Sequence, residues 1–391
     1  MHARELQHRI ARGEMPAKAV GQTASPLAGA NALVSSAWSL DATIAGPGPA
    51  LMELISQEGV SDVLVNGTSV WVDRRGRMER AQVEFSSPAQ VRELAVRMAA
   101  TAGTRLDEAM PIADGTLPDG TRLHAVLSPP AVGGPLISLR TKRRRSFTLE
   151  ELRKNGTCAG PMFDAIVGLV EARANVLLSG ATGTGKTTLL SAILSKVDAG
   201  QRIICIEEVP ELSPTHPHAV TMCQRGANVQ GEGEVSLADL VRAAMRMRPD
   251  RLVLGECRGA EVRDVLTAFN TGHEGGWATI HANTPADVPA RLVALGALAG
   301  MADSTVHAQA AAALDAIIHV ERRADGRREV TQIAVVESGV PLRVLPALTV
   351  AGRGPGFAAL QARVHAGGGR LALPGEPPTA EVVVQSPAEV V

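Results

Sequence analysis

A chain of 391 residues, 45% of them hydrophobic, is long enough for about two domains and a sizeable core. Five Phe, three Trp and no Tyr leave that core to Ala, Val, Leu and Ile, and argue against a base-stacking groove for single strands. A net charge of −1 excludes bulk attraction to nucleic acid or anionic lipid, so no direct nucleic-acid partner is expected.

The first 48 residues are rich in Ala, Gly, Ser and Pro and read as a flexible arm. The opening MHARELQHRI is charged and no apolar core follows, so a signal peptide is not expected. From residue 49 to 141 the pattern is that of a small α+β domain. DVLVNGTSVWVDRRGRMERAQVEF alternates apolar and polar residues around NG and RG turns, the pattern of a β-meander. SPAQVRELAVRMAATAG predicts a helix with a Ser–Pro start and a terminal Gly. GTRLHAVLSPP and PLISLR predict further strands. Residues 142–160, with the basic run Lys142–Arg145, read as a solvated linker.

Residues 161–350 alternate strand-like runs (NVLLSG, RIICIEE, RLVLGE) with helical segments, which implies a parallel sheet with crossover helices. AIIHVERRADGRREVTQIAVV predicts a hairpin turning at Asp325–Gly326. Residues 351–391 are rich in Gly and Pro and are expected to be disordered. Cys158, Cys205, Cys223 and Cys257 form no C-x-x-C pair, so reduced thiols in a cytosolic protein are expected and structural zinc is not. No run of about 18 apolar residues appears.

The chemistry concentrates in three stretches. GATGTGKTT comprises Gly180, Ala181, Thr182, Gly183, Thr184, Gly185, Lys186, Thr187 and Thr188, and matches the phosphate-binding loop G-x-x-x-x-G-K-[ST]. A buried strand precedes it and an amphipathic helix follows, as that loop requires. Its glycines permit the turns that aim N–H groups at phosphate. Lys186 is expected at the β/γ-phosphates of ATP and Thr187 on Mg²⁺. RLVLGECRG places Glu256 at a strand end, with Gly255 where a metal-holding Asp usually stands. A lone Glu there suits orienting or deprotonating water better than holding Mg²⁺. IEEVPEL adds Glu207, Glu208 and Glu211, carboxylates that could hold the metal partly through water.

The order of these motifs, followed by TGHEGGWATIHANT, resembles the type II/type IV secretion ATPases, nearest to the Tad/Flp pilus and conjugal-transfer branch. The resemblance covers roughly residues 55–340 and includes SDVLVNG, LPDGTRLHAV and ISLR of the first domain. It implies an α/β fold: a RecA-like P-loop motor domain with a smaller N-terminal α+β domain. It implies a homohexamer driven by ATP and Mg²⁺, peripherally associated with the inner face of the membrane and docked on an inner-membrane platform protein. The output would be pilus assembly, secretion or conjugal transfer; a retraction motor and a nucleic-acid translocase are the alternatives. His273 and His281 match the family's histidine box beside the nucleotide, with γ-phosphate sensing as the implied role. Glu274 alone does not complete a zinc set with them. Arg242 and Arg246, expected on one helix face, and Arg122 and Arg140 of the first domain match family arginines that face the nucleotide from the same or a neighbouring subunit. His216 and His218 carry no such context.

Overall fold

The computed structural model describes residues 46–74, 76–141, 146–158, 160–226, 232–272, 274–369 and 371. The chain divides into two compact units, Met1–Arg144 and Arg145–Val391. The basic run Lys142–Arg145 lies outside the described residues.

In the first unit, helix α1 (Pro49–Ser56) is followed by strands β1 (Val60–Asn66), β2 (Ser69–Arg74) and β3 (Arg77–Glu84), the expected meander. Helix α2 (Pro88–Thr101) starts where expected, because Pro88 sits at its first position and the Ser87 hydroxyl accepts from the Gln90 N–H. Its buried face is Val91, Leu94, Ala95 and Met98, spaced as one stripe of a helix. Strands β4 (Ile112–Thr116), β5 (Arg122–Val126) and β6 (Leu136–Arg140) complete an antiparallel sheet of order β3-β2-β1-β6-β5-β4. Strand β4 escapes the sequence because IADGT has neither alternation nor bulk. Arg122 opens β5 and Arg140 closes β6, and the two are direct partners across that pair.

The second unit opens with helix α3 (Leu149–Lys154), inside the segment expected to be a linker. A reciprocal cap between Thr148 and Glu151 starts it, and Leu149 and Leu152 enter the core. Residues 149–154 are therefore helical, and a charged run beside a capping box misled the composition argument. Next come α4 (Pro161–Glu171), β7 (Val176–Ser179), α5 (Lys186–Leu194), β8 (Ile203–Glu207), β9 (Ala219–Cys223), α6 (Leu237–Ala244), β10 (Arg251–Cys257), α7 (Val262–Asn270) and β11 (Trp277–Ile280). Helices α8 (Val288–Leu298) and α9 (Asp303–Ala313) precede β12 (Ala316–Arg322), β13 (Arg328–Glu337), β14 (Arg343–Thr349) and β15 (Gly352–Arg353).

Among the described residues these strands form one nine-stranded sheet, order β15-β14-β13-β12-β7-β11-β10-β8-β9. From β12 to β9 every neighbouring pair is parallel, and β13 to β15 extend the sheet antiparallel from the expected Asp325–Gly326 hairpin. β7 and β11 are buried at all four positions, as parallel strands covered on both faces must be.

The expected disorder after residue 351 does not hold over its first part. Helix α10 (Phe357–Ala366) buries Phe357, Leu360 and Val364 in the same core as α4. A Cβ added at Gly168 would stand 2.4 Å from Val364 Cγ1, so the two helices meet at that glycine. Arg363 Nε and Nη2 grip Asp315 at 2.7 and 3.2 Å. Glycines flanking α10 masked a short helix with an apolar stripe. Residues 372–391 lie outside the described residues. Among the described residues the four cysteines are free thiols, and no helix is long and apolar enough to cross a membrane.

Candidate active site

The loop between β7 and α5 lies at the C-terminal ends of the parallel strands, where open α/β sheets place their ligands. Gly180, Gly183 and Gly185 have φ of +148°, +75° and +97°, values that disfavour any Cβ. Gly180 is also forced by contact: a Cβ there would meet the Val320 carbonyl oxygen at 2.3 Å. Thr184 Oγ1 donates to the Ala181 carbonyl at 2.9 Å and closes the turn. Ala181, Thr182 and Gly183 form its exposed rim, and Thr187 and Thr188 are half-buried in the first turn of α5. No side chain caps α5 and no acid stands in its first turn. Its leading N–H groups and positive dipole end thus face the loop without a protein anion, an arrangement suited to phosphate.

Lys186 is buried, and its Nζ donates to the carbonyls of Gly180 at 2.8 Å and Ala181 at 3.0 Å. His281 Nδ1 lies 3.3 Å away and takes the third ammonium proton. An Nδ1 that accepts leaves the proton on Nε2, which stands 2.5 Å from Glu256 Oε1. Burial pulls the His281 pKa down, Lys186 pulls the same way, and Glu256 opposes both. The ring is therefore neutral at pH 7, as this tautomer requires. Burial also lowers Lys186, again against Glu256. Although the ring approaches closely, no donor among the described residues is well aimed at the buried Glu256 Oε1. A buried acceptor of this kind suits a group that takes a hydrogen bond from water.

The chain of contacts continues. Arg258 Nη2 donates to Glu256 Oε2 at 2.6 Å, and Nη1 to Glu208 Oε2 at 2.8 Å. Lys186, His281, Glu256, Arg258 and Glu208 thus form one line of contacts across four segments at one end of the sheet. Sequence reasoning passed over Arg258, although it stands in the quoted RLVLGECRG. It also passed over Arg328, whose Nε donates to the Gly183 carbonyl at 3.3 Å and whose stem lies against Gly185. The buried His319, paired with Ser179 Oγ at 2.8 Å beside the loop, was missed as well. The first had a signal in its spacing from Glu256; the other two arrive by strand pairing, which local patterns do not encode.

Glu207 is buried, and its Oε1 accepts from the N–H groups of Glu211 and Leu212 at 3.0 and 2.8 Å. A Cβ at Gly255 would meet Glu207 Cγ at 2.8 Å. This explains why Gly stands where an Asp was awaited: Glu207 fills the space. Among the described residues no group of three or more His, Cys, Asp or Glu could hold a metal ion. The Thr187 hydroxyl and the Glu208 carboxylate are oxygen donors, which suit Mg²⁺ beside phosphate oxygens and water.

Within the second unit, the structure does not bring every expected residue here. Arg242 pairs with Asp264 at 3.0 Å and Asp239 at 2.6 Å, on the exposed side of α6. Because α6 ends at Ala244, Arg246 follows its C-cap and does not share a helix face with Arg242. Arg122 and Arg140 belong to the first unit, where Arg140 Nε donates to Asp62 Oδ1 at 3.0 Å. His216 is half-buried and contacts the Asp198 carbonyl, and the N–H of the exposed His218 donates to its ring.

The histidine box spans β11. His281 follows β11 at the nucleotide end. Gly276 precedes β11, and its carbonyl accepts from the Val176 N–H at the strand's other end. At ~3.3 Å per residue the ends lie about 16 Å apart, so Gly276 is not beside the P-loop. His273 itself lies outside the described residues.

Comparison with known proteins places this arrangement. The profile of the family described as "Type II/IV secretion system protein" matches residues 47–338. A Mycobacterium tuberculosis protein named for conjugal transfer is 48% identical over 293 residues, 73% of this chain and 83% of its own length. The type IV secretion system protein PtlH of Bordetella pertussis is 30% identical over 318 residues, 73% of this chain and 92% of its own. Among solved structures, the pilus retraction motor PilT with bound ADP superposes with a TM-score of 0.52 at 20% identity, covering 81% of this chain and 86% of that one, a likeness of fold.

Proposed function

The chain belongs to the type II/IV secretion system protein family, and from that premise we propose that it is an ATP-hydrolysing motor for conjugal transfer, pilus assembly or protein secretion. The observation that carries this reading is the contact chain from Lys186 through His281 to Glu256 at the mouth of a P-loop. Lys186 exchanges its carbonyl partners for the β- and γ-phosphates of ATP. Thr187 and Glu208 would hold Mg²⁺, with Glu207 reaching it through water, because two backbone N–H groups already hold one of its oxygens. Bound Mg²⁺ supplies charge neutralisation at the phosphates. Glu256 orients the attacking water and takes its proton. His281 joins Glu256 to Lys186, so a change at the phosphates moves the base.

One P-loop face leaves the γ-phosphate open to solvent. Arg122, Arg140, Arg242 and Arg246 are the cations proposed to close it, from the same chain or from the next subunit of a homohexamer. Arg242 must then leave its ion pairs with Asp239, which is open to water, and with Asp264, whose side chain is 11% exposed. The ring would work at the inner face of the cell membrane against a platform protein. The test is ATP turnover by purified protein across its assembly range. Specific activity should rise with protein concentration. Rings mixed from Lys186→Ala and an arginine variant, each inactive alone, should regain activity if that arginine acts across subunits. Undiminished turnover by a demonstrated monomer would overturn the shared site.

A further inference from the structure

We infer that Arg258 is a positioning residue for the proposed hydrolysis, fixing the Glu256 carboxylate in the rotation that presents Oε1 to the Lys186–His281 side of the site. The inference rests on the ATPase reading and deepens it. A carboxylate at the end of a flexible side chain has two equivalent oxygens and turns freely about its last bond. Here the two oxygens are distinguished. Oε2 accepts from Arg258 Nη2 at 2.6 Å, and Oε1 lies 2.5 Å from His281 Nε2.

The arginine is itself held at both ends. Its backbone N–H and that of Gly259 both donate to Oε1 of the buried Glu261, each at 2.8 Å. Its second guanidinium nitrogen reaches Glu208 at 2.8 Å. A planar fork between two carboxylates fixes direction as well as charge, which an ammonium cannot reproduce. The fork thereby ties the base on β10 to the acidic segment after β8. The Arg258, Glu256 and Glu208 side chains are 49%, 26% and 44% exposed. Pairs so open to water add little to stability. The geometry therefore has its consequence in the site.

The test uses the full chain with Arg258→Gln and Arg258→Lys. It measures melting temperature, affinity for a fluorescent ATP analogue and steady-state turnover. Arg258→Gln should melt like the wild type and bind nucleotide within a few-fold of it, yet lose turnover by roughly 10- to 100-fold, the scale of a misplaced reacting group. Arg258→Lys should restore part of that loss, because it returns charge without the fork. Wild-type turnover in Arg258→Gln, full rescue by Lys, or a loss explained wholly by nucleotide affinity would each overturn the inference. A wild-type protein without ATP turnover would instead overturn the ATPase reading, so the two failures are distinct.

Discussion

Strand β11 joins two ends of the sheet that handle polar groups in opposite ways. At its C-terminal end, Lys186, His281, Glu256, Arg258 and Glu208 are charged or titratable, and most are partly open to solvent. At its N-terminal end, the buried Asn175 donates to the carbonyls of Ala313 at 2.8 Å and Phe269 at 3.3 Å and accepts from the Gly276 N–H at 2.7 Å. Nearby, the buried Arg251 donates to Gln201 Oε1 and the Val170 carbonyl, each at 2.8 Å. Burial, with Arg173 adding to it, pulls Arg251 down to about 10, which leaves it charged at pH 7. The first end is a set of exchangeable contacts. The second is a set of fixed ones that fastens strands, α7 and α9 together. Conserving energy at one end and spending it at the other would invert the molecule's logic, so substitutions at the two ends should separate cleanly.

The largest effect is expected at the exchangeable end. Lys186→Ala should abolish turnover and weaken nucleotide binding, because the phosphates lose the cation of the loop. Glu256→Gln keeps size and hydrogen bonding but removes the base, so it should bind nucleotide normally and lose about 10²–10⁴ in rate. Phosphate release and nucleotide titration on both variants check this. Normal phosphate release from Glu256→Gln would remove that residue from the chemistry and dissolve the contrast drawn here.

At the fixed end the effect should fall on stability alone. Asn175→Ala leaves one buried N–H and two carbonyls short of a partner, at roughly 1–3 kcal/mol for a buried group left unpaired. For a unit of this size that lowers the melting temperature by about 2–4 °C per kcal/mol. Turnover per folded molecule, measured well below the transition, should be unchanged. Turnover falling as steeply as in Glu256→Gln would show that the far end of β11 is also exchangeable, and would restore a nucleotide role to the segment before Gly276.

Much of the exchangeable end was legible in the sequence and little of the fixed end was. A phosphate loop is local: its glycines, lysine and flanking elements sit within a dozen residues, and each is required by backbone geometry or charge. Glu256 was legible because a strand end positions it. Of the histidine box only His281 falls among the described residues, and β11, four residues long, carries it to the nucleotide end while Gly276 stands at the other. Arg363 and α10 were hidden by a Gly-rich composition that says nothing of an apolar stripe ten residues long. Arg328 and His319 reach the loop only through the pairing of β12 with β7 and β13, a non-local fact. Glu207 was read as a metal group from its charge, while its surroundings in the fold show a carboxylate that braces a turn.

The smallest effect concerns pH at His281. Two influences oppose each other there: burial and Lys186 favour the neutral ring, and Glu256 favours the charged one. The first pair prevails, so the folded pKa lies below the ordinary 6.5. For a base shifted down, the native state resists protonation. Its contribution to stability is complete above 6.5 and is lost as pH falls through the lowered value. The same proton would occupy Nδ1, leave Lys186 without its third acceptor and set two cations side by side. His281→Asn keeps a polar side chain that does not titrate. The ratio of wild-type to His281→Asn turnover cancels every other titrating group. It should stand at about 2- to 10-fold, the worth of one hydrogen bond of ~0.5–1.5 kcal/mol, from about pH 8 down to the ordinary imidazole value. Below that value it should shrink toward one. A ratio already shrinking between about pH 8 and pH 7 would mean that Glu256 prevails and the ring is charged near neutrality. His281 would then belong with the fixed cations of the site rather than with its moving contacts.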